Sequence, residues 1–207
     1  MANTIITISR QFGSGGRITG KALAERLGID FYDRELFALA SKESGINEKL
    51  FEEVDEKPNN SFFYLASNHS AFGSAADLYS EYLTNDKLFF IQSEAIRKVA
   101  SEKPCVIVGR CSDYILRNEP KAAHVFICAD SEDRVQEIMR RTDLPEDKAR
   151  KYMIKVDKKR ANYYNFYTGQ VWGAVSHYNL CLNVSKLSRD QAVELIIYYL
   201  KLRGILK

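Results

Sequence analysis

The fold is decided by residues 4–28, which read TIITISRQFGSGGRITGKALAERLG. Residues 4–9 are apolar or β-branched, and this composition predicts a buried strand. Glycines cluster in residues 10–16, and apolar side chains then recur at helical spacing from residue 17 until Gly28. A strand, a glycine-rich turn and a helix in this order direct backbone N–H groups at one point. That arrangement is typical of phosphate binding.

The rest of the chain alternates short apolar segments with helical patterns. We predict further strands at residues 31–32, 105–109, 124–128 and 180–184, and helices at residues 34–44, 85–102 and 131–142. Asp143-x-x-Glu146 and Ser188-x-x-Gln191 match the capping-box pattern and predict the starts of two more helices. This alternation favours a parallel sheet with helices on both faces, which is an α/β fold.

Composition excludes several classes of protein. A chain of 207 residues with 45% hydrophobic and 28% charged residues is typical of one globular domain rather than a disordered segment. No apolar run approaches the roughly 18 residues that span a bilayer, and no basic region precedes the first apolar run. We therefore expect a cytoplasmic protein that does not insert into a membrane.

The cysteines and histidines suggest no protein-held metal. The four cysteines form no C-x-x-C pair, and three of them fall in predicted strands, so we expect buried free thiols in a reducing compartment. The three histidines lack metal-ligand spacing, which argues against a zinc site.

The positive charge is concentrated in one segment. Residues 140–160 contain nine Lys or Arg and four Asp or Glu, so this segment carries +5 within a chain of net charge +3. Such a concentration favours a polyanionic ligand, and on charge alone both nucleotide phosphates and nucleic acid fit it. A solvated helix with ion pairs such as Asp147–Lys151 is the alternative interpretation.

The glycine-rich turn matches three motifs in different registers. The dinucleotide pattern G-x-G-x-x-G fails because it requires glycine at Ile18. The string G-x-x-x-x-G-K occurs from Gly15 to Lys21, but it places Lys21 inside the predicted helix. In the third register the loop follows the strand directly, at residues 10–16, and Gly16 then stands at the lysine position of a degenerate P-loop. A plain glycine turn between strand and helix is the remaining alternative.

Six segments together resemble the cytidylate-kinase-like proteins, relatives of bacterial cytidylate kinase in the nucleoside-monophosphate kinase superfamily. The segments are residues 8–17, 22–28, 31–36, 104–111, 156–164 and 178–183. The resemblance spans nearly the whole chain and is weakest at residues 47–84.

The resemblance implies a single P-loop kinase domain over residues 1–207 with a five-stranded parallel sheet flanked by helices. Its core would comprise about residues 1–46, 86–139 and 178–207, with an acceptor-binding insertion at about 47–85 and a helical lid at about 140–177. The implied reaction moves the γ-phosphoryl group of ATP, with Mg²⁺, to a nucleoside monophosphate. CMP or dCMP is the first expectation.

The resemblance also implies a set of site residues. The phosphate-binding candidates are Gly13, Ser14, Gly15, Gly16, Arg17 and Arg141. The catalytic candidates are Arg17, Arg160 and Asp157, and the acceptor-binding candidates are Asp33, Arg110 and Asp113. Cys111 replaces the aspartate of the family's Gly-Arg-Asp motif, so we expect Asp113 to take over that role. With no loop lysine and no Ser/Thr after it, Arg17 is the expected substitute cation and Ser14 the candidate Mg²⁺ ligand.

Two other functions remain open at this stage. A nucleotide-binding pseudokinase without turnover would explain Gly16 and Arg17. A nucleic-acid-binding module would explain the basic segment, but the pI near 8.6 is modest and basic and aromatic residues do not alternate on a predicted sheet face. We therefore expect ATP and a small phosphate-bearing acceptor as partners, and the sequence is compatible with a homo-oligomer.

Overall fold

The computed structural model describes residues 4–47, 49 and 75–206, and for residues 43 and 75–84 it describes the backbone alone. The elements in chain order are β1 (Ile5–Arg10), α1 (Gly16–Leu27), β2 (Asp30–Tyr32), α2 (Glu35–Ser44), α3 (Ala75–Glu102), β3 (Cys105–Val108), α4 (Ser112–Ile115), β4 (Ala122–Cys128), α5 (Ser131–Thr142), α6 (Glu146–Thr168), a 3-10 helix (Val175–His177), β5 (Leu180–Asn183) and α7 (Arg189–Leu202). Most of the predicted acceptor-binding insertion, residues 50–74, lies outside the described residues.

The strands form a parallel sheet in the order β2-β3-β1-β4-β5. The predicted fold class is confirmed, because this is a five-stranded parallel sheet flanked by helices. All carboxyl ends of parallel strands lie at the same edge, where open α/β sheets bind their ligands. The ends of β1 and β3, and the loops that follow them, are therefore neighbours.

The three central strands carry the core. Ile6 and Ile8 of β1 are fully buried together with the facing positions of β3 and β4, and α1 and α7 add Leu23, Ile196 and Leu200 to this cluster. Strands covered on both faces read as continuous apolar runs, which is why the sequence located them within two residues. Cys181 is an exception to the predicted burial of the strand cysteines. It is exposed because β5 is an edge strand.

The chain divides into two compact units. The first contains the residues up to Asp33 and those from Arg97 onward, and it includes the whole sheet, the glycine-rich turn, α5 and α6. The second comprises Arg34–Ile96 and has its own small core, built from Phe37, Ala40, Leu88 and Ala95. Among the described residues, no helix combines the length and apolarity needed to cross a bilayer.

Helix starts were predicted with mixed success. The Ser188 capping box is confirmed, since the Gln191 N–H donates to Ser188 Oγ at 3.2 Å and the Ser188 N–H donates to Gln191 Oε1 at 2.8 Å. The predicted box at Asp143 is wrong, because Asp143 ends α5 with φ 55° and α6 begins after Pro145. The predicted start at Asn85 is also wrong, because α3 already begins at Ala75.

Candidate active site

The turn between β1 and α1 forms an open cradle. Gly13 and Gly15 have φ values of +81° and +76°, a left-handed conformation that glycine adopts without strain. A Cβ atom at Gly13 would lie 2.7 Å from the Arg134 carbonyl oxygen, so glycine is needed there for space as well. No described atom lies within 4 Å of the corresponding position at Gly15. The first N–H groups of α1 begin beside this open side, which suits an anion.

Helices α5 and α6 both form hydrogen bonds to the backbone of the turn. The Phe12 N–H donates to Asp157 Oδ1 at 2.7 Å, and Arg134 Nε donates to the Phe12 carbonyl oxygen at 2.8 Å. Arg134 of α5 and Asp157 of α6 also form an ion pair, with side chains that are only 7% and 18% exposed. Asp157, a predicted catalytic residue, is therefore placed where it fixes the loop backbone. Arg134, which the sequence analysis did not single out, contacts the loop, whereas the predicted Arg141 lies exposed about 10 Å further along α5.

Arg10 is the main residue that sequence reasoning missed. A Cβ atom at Gly16 would lie 2.5 Å from the Arg10 Cβ, and one at Gly109 would lie 2.2 Å from the Arg10 Nη1. The Arg10 side chain therefore runs across Gly16 and ends against the backbone after β3. A signal for it existed in the sequence, because Arg10 occupies the first position of the degenerate P-loop, where the pattern expects glycine.

Arg10 lies in a group of partly buried cations. Arg160 of α6 donates from Nη1 to the Arg10 carbonyl oxygen at 3.0 Å, and its guanidinium carbon lies 5.6 Å from the Phe12 ring centroid. Burial, and next the positive charge of Arg10, lower the pKa of Arg160 to about 9. Burial is also the main cause that lowers the pKa of Arg10, while the nearby carboxylate of Asp33 opposes it. Like charges that are partly shielded from water disfavour one another, so an anion at this place would relieve the cost.

Arg110 is positioned by an unusual turn. Gly109, Arg110 and Cys111 have φ values of 77°, 61° and 54°, so three consecutive residues after β3 are left-handed. For residues other than glycine, this conformation costs about 1–3 kcal/mol and is concentrated at functional sites. The turn keeps the Arg110 charge close enough to contribute to the lowered pKa of Arg160.

Arg17 and Asp33, predicted for two different roles, are paired with each other. Arg17 Nε donates to Asp33 Oδ2 at 2.6 Å, with the Arg17 side chain 52% exposed and the Asp33 side chain 5% exposed. The Arg17 guanidinium also lies 5.9 Å from the Phe31 ring centroid. A cation at the start of α1 and a carboxylate at the end of β2 therefore meet beside the open cradle. Lys21, in the rejected register, lies on the body of α1 and pairs with Glu25 at 3.9 Å.

Asp113 is buried beneath the site. Its carboxylate accepts a hydrogen bond from the Tyr164 hydroxyl at 2.7 Å and one from the Ser9 hydroxyl at 3.3 Å. Burial raises the pKa of Asp113, and these hydroxyl donors oppose that rise. The three residues connect α4, the end of β1 and α6, so Asp113 is placed to position the elements around the cradle.

The described residues offer no ready set of Mg²⁺ ligands. The Ser14 hydroxyl is directed at the carbonyl oxygens of Gln11 and Ile127, at 2.8 and 3.2 Å. The carboxylates around the turn are engaged by Arg17, by Arg134 and by the Tyr164 hydroxyl. Within the described ranges no group of three or more His, Cys, Asp or Glu side chains could hold a metal ion. A protein-built Mg²⁺ site does not fit this arrangement.

Comparison with known proteins identifies the fold and the family of the chain. The chain is 30% identical to a protein of known structure from Eubacterium ventriosum, described as uncharacterized, over 96% of this chain and 99% of that one, with a TM-score of 0.70. A shikimate kinase from Bacteroides thetaiotaomicron is 14% identical over 96% and 98% of the two chains, with a TM-score of 0.55, and shows the fold alone. No curated protein matches the sequence. A model of the cytidylate kinase-like family matches residues 5–186. The chain therefore belongs to the cytidylate kinase-like family.

Proposed function

We propose that this chain is an ATP-dependent phosphotransferase that acts on a nucleoside monophosphate, with CMP or dCMP as the first candidates. The observation that carries the proposal is the open cradle at Gly15, which lies at the start of α1 and next to Gly16, against which the partly buried Arg10 packs. Family membership supports a P-loop kinase, and the choice of acceptor extends the proposal beyond that. We also propose a cytoplasmic location, where ATP is available.

The proposed reaction is a direct phosphoryl transfer. An acceptor oxygen forms a bond to the γ-phosphorus while the bond from that phosphorus to the bridging oxygen breaks, and ADP leaves with the electron pair. The proton of a protonated acceptor passes to solvent or to a nearby base. Most of the catalysis of such a step comes from positioning and from stabilising charge on the transferred oxygens. The helix amino terminus, Arg17 and Arg160 are suited to this role because arginine remains charged and matches phosphate oxygens.

The donor would be ATP together with Mg²⁺. Because Mg²⁺ retains several waters and is often bound through substrate phosphates, it does not require a cage of protein ligands. That mode of binding is compatible with a turn whose carboxylates are already paired. Here Ser14 would have to give up its bonds to the Gln11 and Ile127 carbonyl oxygens before it could bind the ion.

Acceptor binding is proposed for the strand ends next to the cradle. Arg110 and Asp33 follow β3 and β2, and parallel strands bring both to the ligand-binding edge of the sheet. Asp113 would act indirectly, since its buried carboxylate holds Tyr164 and Ser9. Asp113 would therefore not make the contact that the aspartate of the family's Gly-Arg-Asp motif makes. Arg110 would contact the acceptor directly.

A second function has its own support. A protein that binds nucleotide without turnover would tolerate glycine at the lysine position and Arg17 paired with Asp33. It differs from the first proposal in a single respect, which is the release of ADP.

The deciding experiment measures ADP release from Mg·ATP by a coupled assay. The panel contains CMP, dCMP, UMP, AMP and GMP, with an assay lacking acceptor as the background. Turnover above background on any of them supports the kinase, and ATP binding without turnover on any acceptor supports the second function. Gly13→Ala should abolish ATP binding because its Cβ would meet the Arg134 carbonyl oxygen. Gly28→Ala is the matched control, since Gly28 is also left-handed but has open space around it.

A further inference from the structure

The glycine-rich turn differs from the P-loop pattern at two positions, and one of the two differences adds a cation. In the P-loop pattern G-x-x-x-x-G-K the first position is glycine and the seventh is lysine. In this chain Arg10 stands first, Gly15 sixth and Gly16 seventh. A cation is therefore present in the motif, at the end of β1 instead of the start of α1.

The two positions compete for one space. A Cβ atom at Gly16 would lie 2.5 Å from the Arg10 Cβ, which is shorter than real Cβ contacts, and 3.1 Å from its Cγ, which is tight. A lysine at position 16 and an arginine at position 10 are thus incompatible with this backbone. Glycine at position 16 is the condition under which the Arg10 side chain can cross the loop.

The far end of Arg10 has few protein partners for its charge. Within the described residues no carboxylate forms an ion pair with Arg10, and its buried Nε has no hydrogen-bond acceptor. The two carboxylates that act on it electrostatically are already paired, Asp33 with Arg17 and Asp157 with Arg134. Arg160 brings a further positive charge close to Arg10, because its guanidinium donates a hydrogen bond to the Arg10 carbonyl oxygen. The partly buried Arg10 cation is therefore short of negative charge.

We propose that Arg10 replaces the loop lysine and grips the β- and γ-phosphate oxygens of ATP. This inference rests on the proposed function, because it assigns a residue to the same nucleotide site. A guanidinium at this place offers several N–H donors in a planar fork and holds its proton more tightly than a lysine amine would beside other cations. Arg10 would act as a binding and catalytic residue, while Arg160 would hold the backbone from which it extends.

The first test separates the phosphates that Arg10 contacts. Equilibrium binding of ATP and of AMP is measured by calorimetry on wild type, Arg10→Met and Arg10→Lys. Arg10→Met should weaken ATP binding by about 10-fold to 100-fold, the range for lost hydrogen bonds to a charged group, and leave AMP binding unchanged. Arg10→Lys should recover part of the loss. Lys21→Ala is the control, because the Lys21 side chain is exposed on the body of α1. This variant should bind ATP as wild type does.

The second test rebuilds the ordinary motif. Gly16→Lys alone should weaken ATP binding, since the new side chain collides with Arg10. The double variant Arg10→Gly with Gly16→Lys removes the collision and restores glycine first and lysine seventh. It should bind ATP more tightly than either single variant, which is a positive coupling between the two positions.

The outcomes distinguish this inference from the proposed function. If wild type binds ATP but Arg10→Met binds it equally well, the inference is wrong and the proposed function stands. If Arg10→Met does not fold, the double variant decides: tighter binding than Gly16→Lys supports the inference, and binding no tighter overturns it. If wild type itself does not bind ATP, the proposed function fails and takes the inference with it.

Discussion

At the scale of single residues, the cations around the cradle differ in how their charge is balanced. Arg17 is half-exposed and already paired with the buried Asp33, while Arg10 and Arg160 lie deeper and have no ion pair with a described carboxylate. An incoming phosphate would compete with Asp33 for Arg17, and would meet Arg10 without such competition. We therefore expect Arg17 to act on charge that develops during transfer, and Arg10 on the bound nucleotide.

Arg17→Ala should lower turnover by about 10²–10³-fold, the usual cost of removing one donor to transition-state charge, with the fold intact. Arg17→Lys should recover part of the rate. Lys21→Ala should change the rate little, because Lys21 pairs with Glu25 on the body of α1. Steady-state kinetics with the best acceptor from the panel measures this ranking. A dispensable Arg17 together with an essential Lys21 would contradict the register used for the loop.

The ion pair behind the loop gives a prediction about stability. Asp157→Ala would leave the Arg134 charge, 7% exposed, buried without its partner and would also remove the acceptor of the Phe12 N–H. We expect a loss of about 3–5 kcal/mol in the free energy of unfolding, measured by urea denaturation. Arg150→Ala is the matched control, since it breaks a more exposed ion pair with Glu132 of α5 and another with Glu146 within α6, and it should cost much less than Asp157→Ala. Equal losses in the two variants would show that the Arg134–Asp157 ion pair is not a special contribution to stability.

Residue roles were the part of the site that sequence could predict least. Gly13, Gly15 and the start of α1 follow from local pattern, because a turn of this kind needs glycine where φ is positive. Arg10 and Arg134 do not, since their importance depends on distances to Gly109 and to Phe12 that arise only when the sheet and α5 are assembled. Arg17 was predicted to bind phosphate and Asp33 to bind the acceptor. Neither motif indicates that the two side chains pair with each other.

At the scale of elements, α6 is the helix that connects the basic segment to the loop. Arg160 and Asp157 contact the backbone of Arg10 and Phe12, while Tyr164 reaches Asp113 beneath them. Bound nucleotide that orders the loop should therefore also stabilise α6. This is the physical basis for the proposed lid at residues 140–177.

Hydrogen exchange across residues 141–173 should slow when ATP and acceptor are added together. The reason is that closure over the ligand excludes water and holds α6 against the loop. The amides of α7 serve as the internal control, because that helix packs in the sheet cluster and not in the separate cluster of α5 and α6, and they should show unchanged exchange. Equal exchange in residues 141–173 with and without ligands would count against a lid.

Element boundaries show where local patterns are sufficient. The Ser188 box was predicted correctly because both of its bonds are formed within four residues. The Asp143 pattern failed because Pro145 interrupts it, and Asp143 instead closes the preceding helix with a left-handed residue. α3 was predicted too short because Asn85 suggests a cap, yet residues 75–102 contain no glycine or proline that would stop a helix earlier.

At the scale of the whole molecule, a buried histidine links stability to pH. His124 lies in β4, 8% exposed, with Nδ1 at 2.9 Å from the Thr7 hydroxyl. Burial, and next the charge of Arg203, lower its pKa from 6.5 to about 4. Below pH 6.5 the unfolded chain therefore binds a proton that the folded chain does not. The free energy of unfolding should fall as the pH drops from 6.5 through 4, by about 3 kcal/mol for this group.

Urea unfolding at pH 7.5 and pH 4.5 measures this loss. His124→Gln should show a smaller loss than wild type, because it removes the group that takes up the proton on unfolding. His177→Gln is the control, since its ring lies in the 3-10 helix rather than in the sheet core, and it should keep the wild-type loss. A loss that is identical in His124→Gln and wild type would show that other groups dominate.

The architecture was the most predictable property of the molecule. Central strands that are buried on both faces have continuous apolar runs in the sequence, and in the helices between them apolar residues recur at helical spacing. The parallel sheet could therefore be predicted from the sequence. The acceptor depends on side chains of the predicted insertion, where neither local period nor the family resemblance was strong.

The most direct measurement is thermal unfolding of the wild-type chain with and without ATP. If the phosphates bind over residues 13–17, ligand at 100 times its dissociation constant should add about 2.7 kcal/mol to the free energy of unfolding. The account predicts a melting temperature that rises with ATP concentration, and rises less with AMP. A melting temperature that stays constant in millimolar ATP, both with and without Mg²⁺, would show that the cradle does not bind nucleotide and would contradict the account.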